Sequence, residues 1–177
     1  MRRGLTIATF LQVALLIWVT AVAPVFAEVV WTAGASPATG GGGDGTIRGE
    51  AAALAPASFR EITAAFTGTP TTGTIGDITS ASRATFSATE AIQFNAILLE
   101  SGLAGTTAFL TVFVFDPRGL FVENSPVITQ TAPTNPAGFF IRRNSGSGLV
   151  GVTKWFMVIT DAVGNPFVTP FQTLVVQ

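Results

Sequence analysis

The sequence contains neither cysteine nor histidine, and these two absences exclude most catalytic and metal-binding chemistry. Without cysteine, no disulfide can stabilise the fold, and no thiolate can bind a metal or attack a substrate. Without histidine, the chain lacks the commonest general base and metal ligand, and every Ser-His or Cys-His arrangement is excluded. We therefore expect a protein that is not an enzyme and that needs no cofactor and no bound transition metal.

Charged residues are also scarce, at 11% of the chain against about 25% in an average soluble domain. Lys154 is the only lysine and follows Gly151 by three positions, so the chain has no Ser-x-x-Lys pair and no Gly-x-x-x-x-Gly-Lys phosphate loop. The ten carboxylates are scattered, and no spacing marks two of them as the acid and base of a glycoside hydrolase. A small secreted hydrolase is therefore the least favoured function.

The first 27 residues have the pattern of a secretory signal peptide. Two arginines precede an uncharged apolar run over residues 5–22, and Pro24 and then Val25-Phe26-Ala27 follow. A basic start, an apolar stretch and a small-x-Ala site predict export with cleavage after Ala27. The protein is then extracytoplasmic, which means secreted, periplasmic or on the cell surface.

Two alternatives to this cleavage remain open. About 20 apolar residues can span a bilayer, so the same run could remain as a membrane anchor, with the leading arginines still placing the rest of the chain outside the cytoplasm. Arg3-Gly4-Leu5 also loosely resembles the cleavage site of a type IV prepilin, although Thr9 stands where such pilins usually carry glutamate. An uncleaved segment would make the membrane a partner of this protein.

Removal of residues 1–27 would leave 150 residues, a length that suits one domain. The remaining seven basic and ten acidic residues give a formal net charge of −3, which is too small to indicate nucleic acid or anionic lipid as a partner. Residues 28–47 include a glycine run over 40–45 and are predicted to form a flexible N-terminal segment. Residues 48–177 are predicted to form a single domain.

One short helix is predicted over residues 56–68. Ser58 and Glu61 fit a capping box, and Gly68 stands where a C-cap belongs. The apolar residues recur at i, i+3 and i+7: Phe59, Ile62 and Phe66. An irregular strand is the alternative for this stretch. Residues 67–80 are rich in threonine and glycine and are predicted to form a loop.

From about residue 82 onward, apolar and polar residues alternate with the period of a β-strand. About eight short strands are predicted, over residues 84–88, 91–99, 107–115, 120–122, 127–130, 139–143, 149–160 and 167–176. This spacing is typical of an all-β sandwich or barrel, and we favour an antiparallel β-sandwich. Strand 107–115 is apolar on both faces, which predicts a central strand that is covered on both sides.

Two segments with Asp at the first position and Gly at the fourth are predicted to be type I turns that close hairpins. They are Asp116-Pro117-Arg118-Gly119 and Asp161-Ala162-Val163-Gly164. The Asp side chain can accept a hydrogen bond from the backbone two residues on, and Gly tolerates a positive φ. Gly146 and Gly148 lie in a looser Ser-Gly stretch and are expected to tolerate a side chain better.

These two hairpins resemble parts of known extracellular modules. Gly151–Asn165, with Trp155 in a strand followed by Asp161, Gly164 and Asn165, resembles the late hairpin of secreted immunoglobulin-like and fibronectin-like domains. The hairpin around Phe113–Gly119 resembles such domains as well. The likeness covers about 90 residues in generic features, and it implies a sandwich with a binding or spacing role. It implies no functional residues.

Few other residues are candidates for a ligand site. Asp116 and Asp161 could bind calcium if their turns met, but calcium needs six to eight oxygen ligands, and each Asp is expected to serve its own turn. Arg142-Arg143 is the one basic pair after residue 27; it is expected to be an exposed strand end rather than an anion site. Trp31 and Trp155 could stack on a sugar ring. The place of Trp155 in the alternating pattern predicts core packing, whereas Trp31, near the flexible N-terminus, is harder to explain as a core residue.

A possible partner contact lies at the start of the mature chain, where Val29, Val30 and Trp31 form an apolar patch ahead of the Gly-rich run. Such a patch could add as a strand to a neighbouring subunit, with Trp31 filling a groove. Pro166 and Pro170 remove donors from one edge of the last strand, which predicts an edge strand with an unpaired side. A head-to-tail contact of this kind would propagate into a filament.

Two functions therefore remain, and both are non-enzymatic. In one, the protein is a structural or interaction module that binds a protein partner through loops or an edge strand, and its N-terminal patch is disordered or pairs within its own domain. In the other, it is a subunit of a cell-surface filament that is assembled by strand exchange through the N-terminal segment.

Overall fold

The computed structural model describes residues 28–38, 64–98, 104–134 and 136–177. Eleven strands and one short helix occur in these ranges. The strands are β1 Trp31–Pro37, β2 Ala64–Gly68, β3 Thr85–Phe86, β4 Ile92–Leu98, β5 Thr107–Phe115, β6 Phe121–Asn124, β7 Ile128–Thr131, β8 Ala137–Arg143, β9 Gly151–Asp161, β10 Pro166–Val168 and β11 Gln172–Val176. The helix α1 covers Ile75–Ser80. The described part of the chain is therefore mostly β, in agreement with the all-β class that its alternating pattern predicts.

The strands form two sheets. The first sheet has the order β1-β8-β4-β2, and all its pairs are antiparallel. The second has the order β3-β11-β9-β5-β6, with β10 on β9 and β7 on β5. Only the two-residue pairing of β3 with β11 is parallel among the described strands. The long antiparallel pair β5–β9 forms the centre of the second sheet.

A single hydrophobic core joins the two sheets in a sandwich-like arrangement. It combines inward-facing residues of β4 and β8 with those of β5, β9 and β11. Trp155 is fully buried in it, and its ring meets that of Phe94 edge-on at 5.1 Å. This confirms that Trp155 is a core residue. Burial of so many large apolar side chains supplies the main stabilisation of a chain without disulfides.

Both predicted hairpin turns are confirmed. Gly119 has φ 86° and Gly164 has φ 93°, and in each turn the Gly N–H donates to the carbonyl of the leading Asp. Gly148, however, also has φ 85°, and a Cβ on Gly146 would lie 2.7 Å from the Ser87 carbonyl oxygen. The expectation that these two glycines would tolerate a side chain is therefore wrong.

The prediction of a helix over 56–68 is wrong for the part that the structure describes. Residues 64–68 form β2, in which Ala65 faces the core and pairs with Ala96 of β4. Gly68 is not a helix cap; it lies so close to Ala81 that an added Cβ would stand 2.7 Å from the Ala81 carbonyl oxygen. Pairing with β4 outweighs the local helical pattern. Residues 56–63, including the predicted capping box, lie outside the described residues.

The predicted loop over 67–80 contains a helix instead. Thr74 caps α1 with a full capping box, in which the Asp77 N–H donates to Thr74 Oγ1 and Asp77 Oδ2 accepts from the Thr74 N–H. Ile78 of this helix is 1% exposed and packs over Gly138, on the outward face of the first sheet. The helix therefore covers part of that face.

Candidate functional site

The candidate site is the position of β1 at the edge of the first sheet. All seven residues of β1 pair with β8, from Trp31 opposite Arg143 to Pro37 opposite Ala137. The segment 28–47 was expected to be flexible throughout, but Trp31–Pro37 is an ordered strand, and residues 39–47 lie outside the described part. The predicted partner-contact residues are thus part of this domain or directly precede its first strand.

Trp31 connects β1 to the core. Its ring lies 5.9 Å from that of Phe94, and the Arg143 guanidinium stands 5.8 Å from its centroid. Ala33 and Ala35, two and four residues on, face the same core. The core-facing side of β1 therefore consists of one half-buried tryptophan followed by two small residues.

Val30 and Glu28, on either side of Val29, extend the contact of this strand beyond the ladder. The Val30 N–H donates to Asn144 Oδ1 at 2.9 Å, and the Asn144 N–H donates to the Val30 carbonyl at 3.1 Å. Asn144 Nδ2 also donates to the carbonyl of Glu28 at 3.0 Å. Asn144 therefore binds the backbone of Val30 and of Glu28, on either side of Val29, while the Val30 side chain remains 47% exposed.

The middle of β1 requires glycine because of a close contact with β8. A Cβ built on Gly34 would lie 2.4 Å from the ring of Phe140, which pairs with it in the ladder. Ser36, two residues on, is fully buried, and its hydroxyl has no hydrogen-bond partner among the residues that the structure describes. Sequence reasoning missed both features, because each depends on the element that β1 contacts rather than on β1 itself.

The edge of β1 that does not pair with β8 faces β7 of the second sheet. Gln130 of β7 donates from Nε2 to the Ala33 carbonyl at 3.3 Å, and the Ala38 N–H donates to Thr134 Oγ1 at 2.9 Å. β1 therefore lies between β8 and β7 and closes the sandwich along that side.

Arg143 joins the first sheet to the second beneath Trp31. This side chain is 1% exposed, and its Nε lies 2.6 Å from Oε1 of Glu123 in β6. Its two Nη atoms donate to the carbonyls of Ser145 and Ser147. The expectation that Arg142-Arg143 forms an exposed strand end is therefore wrong, since the Glu123 carboxylate and the two serine carbonyls replace water around the Arg143 guanidinium.

Arg142 points to the opposite face of β8 and is also engaged. Its Nε donates to Gln93 Oε1 at 2.8 Å, an Nη donates to the Thr71 carbonyl, and its guanidinium stands 4.5 Å over the Phe140 ring. Burial lowers the pKa of Arg142 from its ordinary value. Neither arginine therefore offers a free anion site.

The two turn aspartates serve their own turns, as predicted. Asp116 Oδ1 accepts from the N–H groups of Arg118 and Leu120, each at 2.8 Å. Asp161 Oδ1 accepts from Val163 and Asn165 at 3.0 and 2.8 Å. Within the described ranges, no group of three or more carboxylates could hold a metal ion.

The hydrogen bonds of the turns determine how their carboxyls titrate. In Asp116, the backbone bond from Leu120 is the main cause that keeps the pKa below its ordinary value. In Asp161, burial raises the pKa, but the side-chain and backbone bonds from Asn165, with those from Val163 and Gly164, outweigh it and leave the pKa lowered. Both carboxylates therefore stabilise the fold in their charged form.

The predicted C-terminal edge strand is divided into two. β10 and β11 both pair with β9, and β3 adds to the outer side of β11 at Val175 and Val176. Between them, the Thr169 N–H donates to the Met157 carbonyl, and Thr169 Oγ1 accepts from the Met157 N–H, which maintains contact with β9 up to Pro170. Within the described chain, β10 pairs with β9 alone.

Comparisons with known proteins found no match among family models, curated proteins or solved structures. None of the helices in the described ranges is long and apolar enough to cross a membrane; the apolar run over residues 5–22 lies outside those ranges.

Proposed function

We propose that this protein is a non-enzymatic structural or interaction module outside the cytoplasm, with an immunoglobulin-like sandwich that is completed by its N-terminal strand. The basic and apolar start of the sequence supports export. The absence of histidine and cysteine from the sequence and the use of both turn aspartates by their own turns support a role without catalysis.

The strand order supports the immunoglobulin-like assignment. In such sandwiches one sheet has the order A-B-E-D and the other contains C, F and G. Here β2, β4 and β8 take the positions of A, B and E, and β5, β9 and β11 take those of C, F and G. The position of D, next to β8, is filled by β1.

The observation that carries the proposal is the origin of this D-position strand. In chain order, D would stand between β7 and β8, but only the five residues 132–136 connect those strands. β1 instead comes from the start of the chain and is separated from β2 by the 26 residues 38–63. The D position next to β8 is thus filled by β1, a segment that a long connection separates from the other strands of the domain.

Such an arrangement suits strand exchange between copies. Twenty-six residues span up to about 90 Å when extended, so covalent geometry allows β1 to reach a neighbouring copy. Pairing with β8 and the Trp31 contacts would be identical within one copy and between two copies. The contact between copies is head-to-tail, and it leads to a filament unless a ring closes. The filament subunit is therefore the second candidate function.

Peptide complementation tests this proposal. A chain that starts at Thr46 lacks β1, and a synthetic peptide of residues 28–38 should bind it with 1:1 stoichiometry and raise its melting temperature. The same peptide with Gly34→Val should bind at least about tenfold more weakly, because the new side chain would overlap the Phe140 ring. Isothermal titration calorimetry and thermal melts give both results. A truncated chain that is stable and ignores the peptide would contradict the proposal.

The filament form is tested with the full mature chain from Glu28. Light scattering and negative-stain microscopy should reveal assemblies whose growth is stopped by excess 28–38 peptide, because the peptide occupies each acceptor edge. The Gly34→Val peptide is the matched control and should not stop growth. If the mature chain is monomeric at every concentration, the filament hypothesis is excluded, and β1 pairs only within its own copy. Trp31→Ala should also lower the melting temperature, since Trp31 packs on the core of its own domain.

A further inference from the structure

The outward face of the second sheet carries a cluster of five phenylalanine rings. Phe156 of β9 stacks on both Phe113 and Phe115 of β5, with centroids 5.2 and 5.5 Å apart. Phe121 meets Phe115 edge-on at 6.0 Å, and Phe171 meets Phe115 and Phe156 at 5.7 and 5.1 Å. These contacts hold the rings in place without burying them. We refer to this surface as the phenylalanine face.

The phenylalanine face remains open in the described part of the chain. Phe121 and Phe171 are 57% and 61% exposed, and the other three rings are half-buried. Two valines extend the apolar surface beyond the rings: Val152 at 45% and Val168 at 57% exposure. Monomeric proteins rarely expose a contiguous apolar area of this kind unless it binds something.

Charge is almost absent from this face. The outward positions of β5 are Thr107, Phe109, Thr111, Phe113 and Phe115, and those of β9 are Val152, Lys154, Phe156, Val158 and Thr160. Lys154 is thus the single charged residue among these ten. Aromatic enrichment and charge depletion are the two compositional features of the buried centre of a protein interface.

The size of the face is what a dimer of this protein would need. The phenylalanine face is part of the whole outward face of the second sheet, which is four strands wide because β7 and β6 lie one after the other beside β5, and β10 and β11 beside β9. At a spacing of about 4.8 Å and a length of about 30 Å, as in β5 and β9, this whole face has an area of roughly 570 Å². Two copies that meet through this face would bury roughly 1,100 Å² in total, even without counting the relief of the side chains. This value lies just above the roughly 1,000 Å² expected of a specific interface, at its weak and reversible end.

We propose that the phenylalanine face binds the same face of a second copy of this chain, through a two-fold symmetric contact. Such a contact is isologous, which means that both copies use the same surface. It is independent of β1, which lies at the edge of the other sheet, and it closes at two copies. Combined with head-to-tail exchange of β1, it would pair filaments laterally, whereas alone it would give a dimer.

Exchange of exposed rings for lysine tests the contact with the full mature chain. Sedimentation velocity over a concentration series should show a fast, reversible monomer–dimer equilibrium. Phe121→Lys and Phe171→Lys should each weaken dimerisation at least about tenfold, because each places a charge within the apolar contact. Val163→Lys is the matched control: Val163 is 68% exposed in the β9–β10 turn, and its exchange should leave the dimer constant unchanged.

Melting temperatures close to that of the unmodified chain verify that the lysine variants are folded, and Phe121→Thr provides a milder second variant. A mature chain that sediments as a monomer throughout the series would overturn the proposal. So would a dimer that Phe121→Lys and Phe171→Lys do not weaken, since its contact would then lie elsewhere. Binding of the monomer to neutral lipid vesicles through these rings, without dimer formation, would assign the face to a membrane surface and equally overturn it.

Discussion

The outward faces of the two sheets are buried to a degree opposite to what their polarity predicts: the polar face of the first sheet is covered, and the apolar face of the second is open. In the first sheet, β4 places the polar residues Gln93 and Asn95 outward, yet both are fully buried. In the second, β5 places Phe113 and Phe115 outward, yet both remain half-exposed. The expectation that β5 is covered on both sides is therefore not met within the described residues, whereas β4 is buried on both of its faces.

The difference lies in what the neighbouring segments supply. Residues 69–83, including α1, lie over the first sheet and provide hydrogen-bond partners, so polar side chains can be buried there. Gln93 Oε1 accepts from the Thr71 N–H and from Arg142 Nε, and its Nε2 donates to Asn95 Oδ1. No described segment covers the second sheet in this way, and its outward side chains are apolar. Alternation in a strand identifies its two faces but not what covers either of them.

The largest loss of folding stability is expected from substitution of Arg143, which connects the two sheets. Arg143→Met removes the charge partner of Glu123 and the donors to Ser145 and Ser147, and it should destabilise the fold by about 3–5 kcal/mol. Arg118→Met is the matched control, because Arg118 is 84% exposed and pairs with Asp116 at 3.3 Å. It should change the stability by no more than about 1 kcal/mol. Chemical denaturation measures both; equal effects would show that the Arg143 contacts do not join the sheets.

A second pair of variants sharpens the contrast between the two outward faces. Gln93→Leu places an apolar side chain of similar size in the covered face, and it should cost about 2–4 kcal/mol because Thr71, Asn95 and Arg142 each lose a partner. Phe171→Thr places a polar side chain on the open face and should cost less than about 1 kcal/mol. The reverse order in urea denaturation would refute this account of the two faces.

The regular part of this fold could be predicted from local pattern alone. The alternation in residues 151–161 places Trp155 in the core, and Asp and Gly at fixed positions identify both hairpin turns. Each of these features depends on residues within one or two strands. An inward tryptophan and an αL glycine are determined by backbone geometry that the local sequence controls.

The remaining features depend on contacts between distant segments. Residues 64–68 form a strand because β4 offers an edge, and β1 joins β8 across more than a hundred residues of chain. Thr74 and Asp77 carry the same capping-box signature as Ser58 and Glu61, but they stand in a threonine- and glycine-rich stretch that by composition predicts a loop. The ion pair of the buried Arg143 with the partly exposed Glu123 has no signal in the sequence, because the two residues meet only when the sheets pack.

A smaller change in folding stability is expected when glycines with different backbone conformations are replaced by alanine. Gly164→Ala should cost about 1 kcal/mol, because the turn holds φ at 93° and a new Cβ meets nothing within 4 Å, so the effect is purely conformational. Gly148→Ala should cost a similar amount, at φ 85°. Gly76→Ala, in α1 over the covered face, should instead be neutral or stabilise by up to about 1 kcal/mol. Thermal melts that rank Gly76→Ala with the other two would contradict the conformations.

The smallest effect is expected in acid, at the hairpin turns that border the open sheet. Asp116 and Asp161 have pKa values below their ordinary value, so their contribution to stability is fully present above the unfolded pKa near 4 and is lost as the pH falls through the folded pKa. The melting temperature should therefore be flat near neutral pH and decline below about pH 4. Asp161→Asn should make this decline shallower, because the neutral amide binds no proton while it still accepts from Val163 and Asn165. Glu28→Gln removes one charge without touching either turn, and an equal change of slope in that variant would attribute the decline to net charge rather than to the turns.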